Sequence, residues 1–151
     1  MLILLAVFPR LAAGETGFLI DGKEIFNTEK QLIAGAKRSL CVEIYEFQLK
    51  EFADLAIGRA KSGIRVRVIL DSAAGNLEMK RYLNENGVDT RTAVIGNGAI
   101  DHAKYLVADN NSAVVTGANW GVSSGKHHDI GIAFSGEPAE RLQREFEKNW
   151  G

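Results

Sequence analysis

In 151 residues the chain has one cysteine, Cys41, and two prolines, Pro9 and Pro138. A single thiol excludes an internal disulfide. Cys41 falls in a β-patterned stretch and reads as a small buried side chain, with an intermolecular bridge as the alternative. With no repeat, no low-complexity run and no proline-rich stretch, there is no sign of a linker or an array. Excess charge of either sign is also missing, because 18 Lys and Arg face 19 Asp and Glu for a net charge of −1. That excludes a general attraction to nucleic acid or to acidic membranes, so any basic binding surface must be local. Candidates are Lys37, Arg38, Arg65, Arg67, Lys80, Arg81 and Lys126. No apolar run reaches the ~20 residues needed to span a bilayer.

What is present fits one globular domain. The apolar fraction of 46% and the charged fraction of 25% are ordinary, and 151 residues suffice for a real core. Residues 1–13 stand apart as an apolar N-terminal segment, "MLILLAVFPRLAA". It reads as a remnant of an export signal, the end of an anchor, or a strand, and export or anchoring is preferred over a cytoplasmic location. Residues 14–151 form the domain.

Along that domain the period of the apolar residues switches repeatedly. Asn27 or Thr28 can cap a helix running to about Arg38, with Thr28 and Gln31 spaced as a capping box. "SLCVEIYEF" follows as a strand with Leu40, Val42 and Ile44 on one face. A helix over about Lys50–Ser62 stops at Gly63, "IRVRVILD" is a strand, a helix over about Leu77–Asn86 stops at Gly87, and "VDTRTAVI" is another strand. Alternating helices and strands imply crossover connections. "HAKYLVAD", "NNS" and "AVVTG" then read as a hairpin. After a Gly/Ser-rich loop, "DIGIAF" is a last strand, and Pro138 suits the first turn of a closing helix to Trp150. The expected fold is α/β, with a mixed, largely parallel sheet flanked by helices on both faces.

The hairpin carries the chemistry. His102, Lys104, Leu106 and Ala108 share one face of a strand that is mostly apolar on both faces. Lysine is almost never fully buried unless paired, so one reading puts His102 and Lys104 at a strand end facing water. The other makes them functional. The start of the first hairpin strand lies near the end of the second, which brings His102 and Lys104 near Asn119. An imidazole can act as nucleophile or general acid, and a lysine and an asparagine can hold the non-bridging oxygens of a phosphate.

His102-x-Lys104, four residues, and Asp109 resemble the H-x-K-x-x-x-x-D signature of the phospholipase D superfamily. Asn119 stands in the register of that family's asparagine, while Thr116 and Gly117 stand where its pattern has Gly and Ser. "LIAGAKRSLCVEIYEF", "LAIGRAKSGIRVRVILD" and "REFEKNW" resemble the family's first unit, second unit and closing helix. The resemblance implies a phospholipase D-like fold and a metal-independent phosphodiesterase, without cofactor, working through a phosphohistidine intermediate. His102, Lys104 and Asn119 would be catalytic. Asp109 would be structural, and Asp129 could orient the imidazole or simply begin a solvated strand. Two copies of the motif are needed and this chain has one, so the resemblance implies a homodimer with the active site at its interface. The small single-motif members include nonspecific endonucleases, which makes nucleic acid the expected substrate. A phospholipid or cardiolipin substrate, or a weakly active nucleic-acid-binding module, are the alternatives. His127, His128, Asp129 and Asp101 could instead be read as metal ligands. Trp120 is either a packing residue at the site rim or a base-stacking platform.

Overall fold

The computed structural model describes residues 14–72, 74–93 and 95–151. In chain order these form β1 (Thr16–Ile20), α1 (Asp21–Gly35), β2 (Ser39–Ile44), α2 (Lys50–Lys61), β3 (Arg65–Asp71), α3 (Leu77–Glu85), β4 (Asp89–Ala93), β5 (Lys104–Ala108), β6 (Ser112–Thr116), a short 3-10 turn at Ser124–Lys126, β7 (Ile130–Ser135) and α4 (Glu137–Trp150). The N-terminal segment, 1–13, lies outside the described residues.

The strands make one mixed sheet in the order β1-β7-β6-β5-β2-β3-β4. β2 pairs in parallel with β3, and β3 with β4, while every other neighbour is antiparallel. Five strands therefore run one way, with β5 and β7 opposed to them. Parallel neighbours occur only where a helix crosses over between strands, since parallel pairing needs a long connection.

Helices cover both faces, as expected. Leu40, Val42 and Ile44 of β2 pack with Val68, Leu106 and Val114 against Ile25 and Ile33 of α1, Phe52 and Ala56 of α2, and Leu83 of α3. The alternate residues Cys41, Ile69, Tyr105, Val107 and Ala113 face α4 through Ala139 and Phe146. Each fully buried large side chain contributes roughly 1.5–3 kcal/mol. On the α4 face Arg67 lies 5.1 Å from the Phe146 ring centre and 5.2 Å from that of Trp150, and it pairs with Glu147 at 2.7 Å.

The first helix begins at Asp21, well before the expected Asn27 or Thr28. Its start is satisfied by tertiary partners. The N–H groups of Asp21 and Gly22 donate to the carbonyls of Asp129 and His127 at 2.9 and 3.0 Å, and the Ile20 N–H donates to the Glu24 carboxylate at 2.7 Å. Thr28 is mid-helix, its hydroxyl bonded back to the Glu24 carbonyl. Gly22 permits the contact, since a Cβ there would sit 2.4 Å from the Ser124 carbonyl oxygen. The helix stops at Gly35, short of Arg38, because the next N–H groups are drawn to Asp109. β1 was not anticipated; it pairs with β7 at the sheet edge and leaves Phe18 and Ile20 exposed.

Candidate active site

The hairpin turn has both central residues left-handed, with φ of 58° at Asp109 and 56° at Asn110. Such a turn matches the twist of the flanking strands. The register Tyr105↔Val115, continued by one residue, sets Lys104 opposite Thr116, and Lys104 is also the β2 partner of Ile44. The start of β5 thus lies between the ends of β2 and β6. Two backbone ties fix the loop after β6: the Trp120 N–H donates to the Glu46 carbonyl at 3.1 Å, and the Trp120 carbonyl accepts from Gln48 and Leu49 at 2.8 and 3.0 Å. Trp120 is buried, with its ring stacked on Phe52 at 4.3 Å and its indole N–H donated to Glu29 at 2.9 Å. It is a packing residue and presents no face to a base.

β5 begins at Lys104, so His102 stands just outside the strand expected to contain it. The cause is a local turn. Asp71 Oδ2 accepts the Asp101 N–H at 2.6 Å, and Asp101 Oδ1 accepts the Ala103 N–H at 3.1 Å. These bonds take amides that a strand would have placed in a ladder. His102 is exposed at the tip, with its ring packed on Tyr45, centroids 4.7 Å apart.

Lys104 and His102 have opposite fates. Lys104 is 6% exposed. Its ammonium donates to the His102 carbonyl at 2.8 Å, lies 5.5 Å from the Tyr45 ring centre, and takes part in no ion pair among the described residues. Burial pulls its pKa below the usual lysine range, partly offset by the charges of Asp101 and Asp129.

Asn119 is half-buried, and its Oδ1 is buried without a hydrogen-bond partner. Together with Asp129, Gly117, Glu46, Ser123 and His127 it lines a cavity of about 270 Å³, whose walls do not include His102 or Lys104. Asp129 lies against Gly117, where a Cβ would be 3.1 Å from its Oδ1. The structure therefore brings Asn119 and Asp129 into one cavity, near enough for the Asp129 charge to act on Lys104.

Asp109 is at the opposite end of β5, about five residues of ~3.3 Å rise away. Its carboxylate accepts the N–H groups of Lys37, Arg38 and Ser39 at 3.0, 2.7 and 3.1 Å. It closes the turn between α1 and β2.

Other candidate groups are dispersed. His128 pairs with Asp21 at 2.5 Å, and among the described residues no three His, Cys, Asp or Glu side chains are grouped to hold a metal, so His127, His128, Asp129 and Asp101 do not assemble as a ligand set. Lys37 and Arg38 lie at the Asp109 end, with Arg65 beside Arg38. Arg67 is buried, and Lys80 is bonded to Thr92. Only Lys126 of that set sits in the loop beside the cavity. Tyr45, Asp71 and Glu46 were not anticipated at the site, and no local pattern marks them.

Among the described residues, a seven-stranded mixed sheet with three helices on one face, one on the other, and a histidine and a buried lysine two residues apart at the start of a central hairpin strand define a phospholipase D-like domain. The sequence matches the family described as "Cardiolipin synthase, PLD-like domain" over residues 30–150, and the chain belongs to this family within the phospholipase D-like phosphodiesterase superfamily. The fold is similar to that of the phospholipase D family member Nuc from Salmonella typhimurium, with a TM-score of 0.79 at 18% identity, covering 90% of this chain and 95% of that one. NucT from Helicobacter pylori gives a TM-score of 0.79 at 18% identity, covering 91% and 96%. Phosphatidylserine synthase from Haemophilus influenzae gives 0.68 at 15%, covering 90% of this chain and 37% of that one. A search among curated proteins returned no match.

Proposed function

We propose that the protein is a metal-independent phosphodiesterase that acts as a homodimer through a phosphohistidine at His102. The observation that carries this reading is Lys104. A buried ammonium with no carboxylate partner is costly unless an anion completes it. Here it is fixed beside an exposed imidazole, and Asn119, in the loop after β6, carries an amide Nδ2 group able to donate to a phosphate oxygen. A phosphodiester placed there has its charge met by Lys104 and its second non-bridging oxygen met by the Asn119 amide.

A His102 ring nitrogen attacks phosphorus, and the P–O bond to the leaving alcohol breaks. The alkoxide takes a proton from the imidazolium of His102 in a second copy. Water then attacks the phosphohistidine, gives its proton back to that imidazole, and the P–N bond breaks. One chain holds one such histidine, which is the reason for the dimer. Asp129 orients an imidazole, or steadies its charge, from the cavity wall.

Nucleic acid is the favoured substrate. The chain matches Nuc and NucT nearly end to end, and the resemblance counts nonspecific endonucleases among the small single-motif members. One observation favours a phospholipid reading: Leu77 at the start of α3, and Ile95, Ile100 and Val122 on loops, are exposed at the His102 edge of the sheet. The test is purified protein against plasmid DNA, single-stranded DNA and RNA, and cardiolipin-containing vesicles, all with EDTA. Cleavage of nucleic acid, absent from His102→Asn protein, is expected. Hydrolysis confined to vesicles would replace the nuclease reading, and no turnover of any of them would overturn the phosphodiesterase.

A further inference from the structure

On the α4 face of the sheet, directly behind the turn that carries His102, buried carboxyl groups come together. Glu43 of β2 is 3% exposed, Asp71 of β3 is 3% exposed, and Asp101 is 6% exposed. Asp71 and Asp101 each use an oxygen on a backbone N–H of the His102 turn, at 2.6 and 3.1 Å. Glu43 accepts the Tyr105 hydroxyl from β5 and the Asn149 amide from α4, the latter at 3.0 and 3.2 Å. Asp101 Oδ2 is buried and has no donor among the described residues.

The chemistry of this set is incomplete without a proton. A carboxyl group buried in an apolar wall beside another acid ionises less readily than one in water. A protonated Glu43 would supply the donor that Asp101 Oδ2 lacks. We infer that the Glu43 carboxyl donates its proton to Asp101 Oδ2, and that this hydrogen bond holds the Asp101–Ala103 turn that presents His102, making both acids positioning residues of the site.

Among the described residues neither Glu43 nor Asp101 takes part in an ion pair. From β5 the pair is faced by Tyr105, from α4 by Asn149 and more distantly Glu145, and from β3 by Asp71. Arg67, on the same face, is engaged by Glu147. Lys104 senses the Asp101 charge from beyond the turn. Burial, reinforced by Asp101, pushes Glu43 up to about 7, against the pull of Tyr105 and Asn149. Below that pH Glu43 holds its proton. Above it Glu43 ionises, Asp101 Oδ2 loses its donor, and the turn loosens.

The inference bears on how His102 is held and rests on the phosphodiesterase reading only for its kinetic consequence. The primary test needs no substrate. The Ala103 amide signal is followed by NMR from pH 5.5 to 8.5 in His102→Asn protein, so that no imidazole at 102 titrates. An inflection near 7 is expected, absent from the Glu43→Gln version and moved to higher pH by Tyr105→Phe, which removes a donor to the Glu43 carboxylate. With His102 restored, kcat on bis(p-nitrophenyl) phosphate should fall roughly tenfold per pH unit above 7, with KM little changed, and Glu43→Gln should flatten that fall. An Ala103 amide with no inflection, or the same inflection in Glu43→Gln protein, overturns the inference. Turnover lost at every pH, with the inflection intact, would instead count against the phosphodiesterase reading.

Discussion

Replacing Glu29 with glutamine should make the protein more stable in mild alkali while changing little in acid. Glu29 sits on α1 with its side chain in the core, 2% exposed, its Oε2 accepting the Trp120 indole N–H at 2.9 Å. Burial pushes its pKa from 4.5 up to about 8, with the indole hydrogen bond opposing the shift only in part. The folded state therefore binds a proton that the unfolded chain has released. Stability from this group is fully present below the unfolded pKa, falls as pH rises from about 4.5 to about 8, and is level above. At roughly 1.4 kcal/mol per unit, the loss is about 4–5 kcal/mol, a large part of the ~5–15 kcal/mol that holds a domain together. Glutamine keeps an oxygen for the indole and never ionises. Urea unfolding at pH 5 should give nearly equal stabilities for the two proteins, and at pH 8.5 the variant should lead by about 4 kcal/mol. Glu43 adds its own slope to both proteins, so the difference isolates Glu29. Parallel loss of stability in both across this range would refute the reasoning.

Lys104→Ala should lower kcat about 10²–10³-fold, the scale of removing one donor to a developing anion, measured under saturating substrate; a change confined to KM would place Lys104 outside the transition state. Asn119→Ala should do the same on a similar scale. Asp109→Ala removes the acceptor for three backbone N–H groups far from the site, so it should cost about 2–3 kcal/mol in denaturant unfolding, with kcat per folded molecule unchanged. Excess EDTA should leave the rate intact, because the charge stabilisation comes from side chains of the protein; loss restored by a divalent ion would contradict the mechanism.

The parts legible in the sequence were those decided locally. Alternation through residues 104–108 and the Asn-rich turn after it define the hairpin, and parity puts Lys104 on a core-facing side where it is in fact buried. Gly63 and Gly87, at φ of 84° and 86°, end α2 and α3 where their sequence positions indicate. What was not legible depends on partners distant in sequence. The start of α1 is set by carbonyls of residues 127 and 129, and the break before Lys104 is set by Asp71, 30 positions from Asp101. Arg65 and Arg67, two apart on one strand, look alike in sequence, yet one is exposed at the strand start and the other is buried beneath α4. A map of basic residues read from sequence therefore overstates the local positive surface. Tyr45, which supports the His102 ring, carries no signal beyond following an alternating strand.

The central claim is that His102 becomes covalently bonded to phosphorus, and trapping that bond tests it most directly. Protein mixed with a phosphodiester substrate is quenched in alkali within the first turnover, digested, and examined by mass spectrometry. The account predicts an adduct on the peptide containing His102, stable in alkali, lost in mild acid, and absent from His102→Asn protein, which should not turn over. Turnover with no adduct on that peptide at any quench time, together with a His102→Asn protein that works at the wild-type rate, would contradict it.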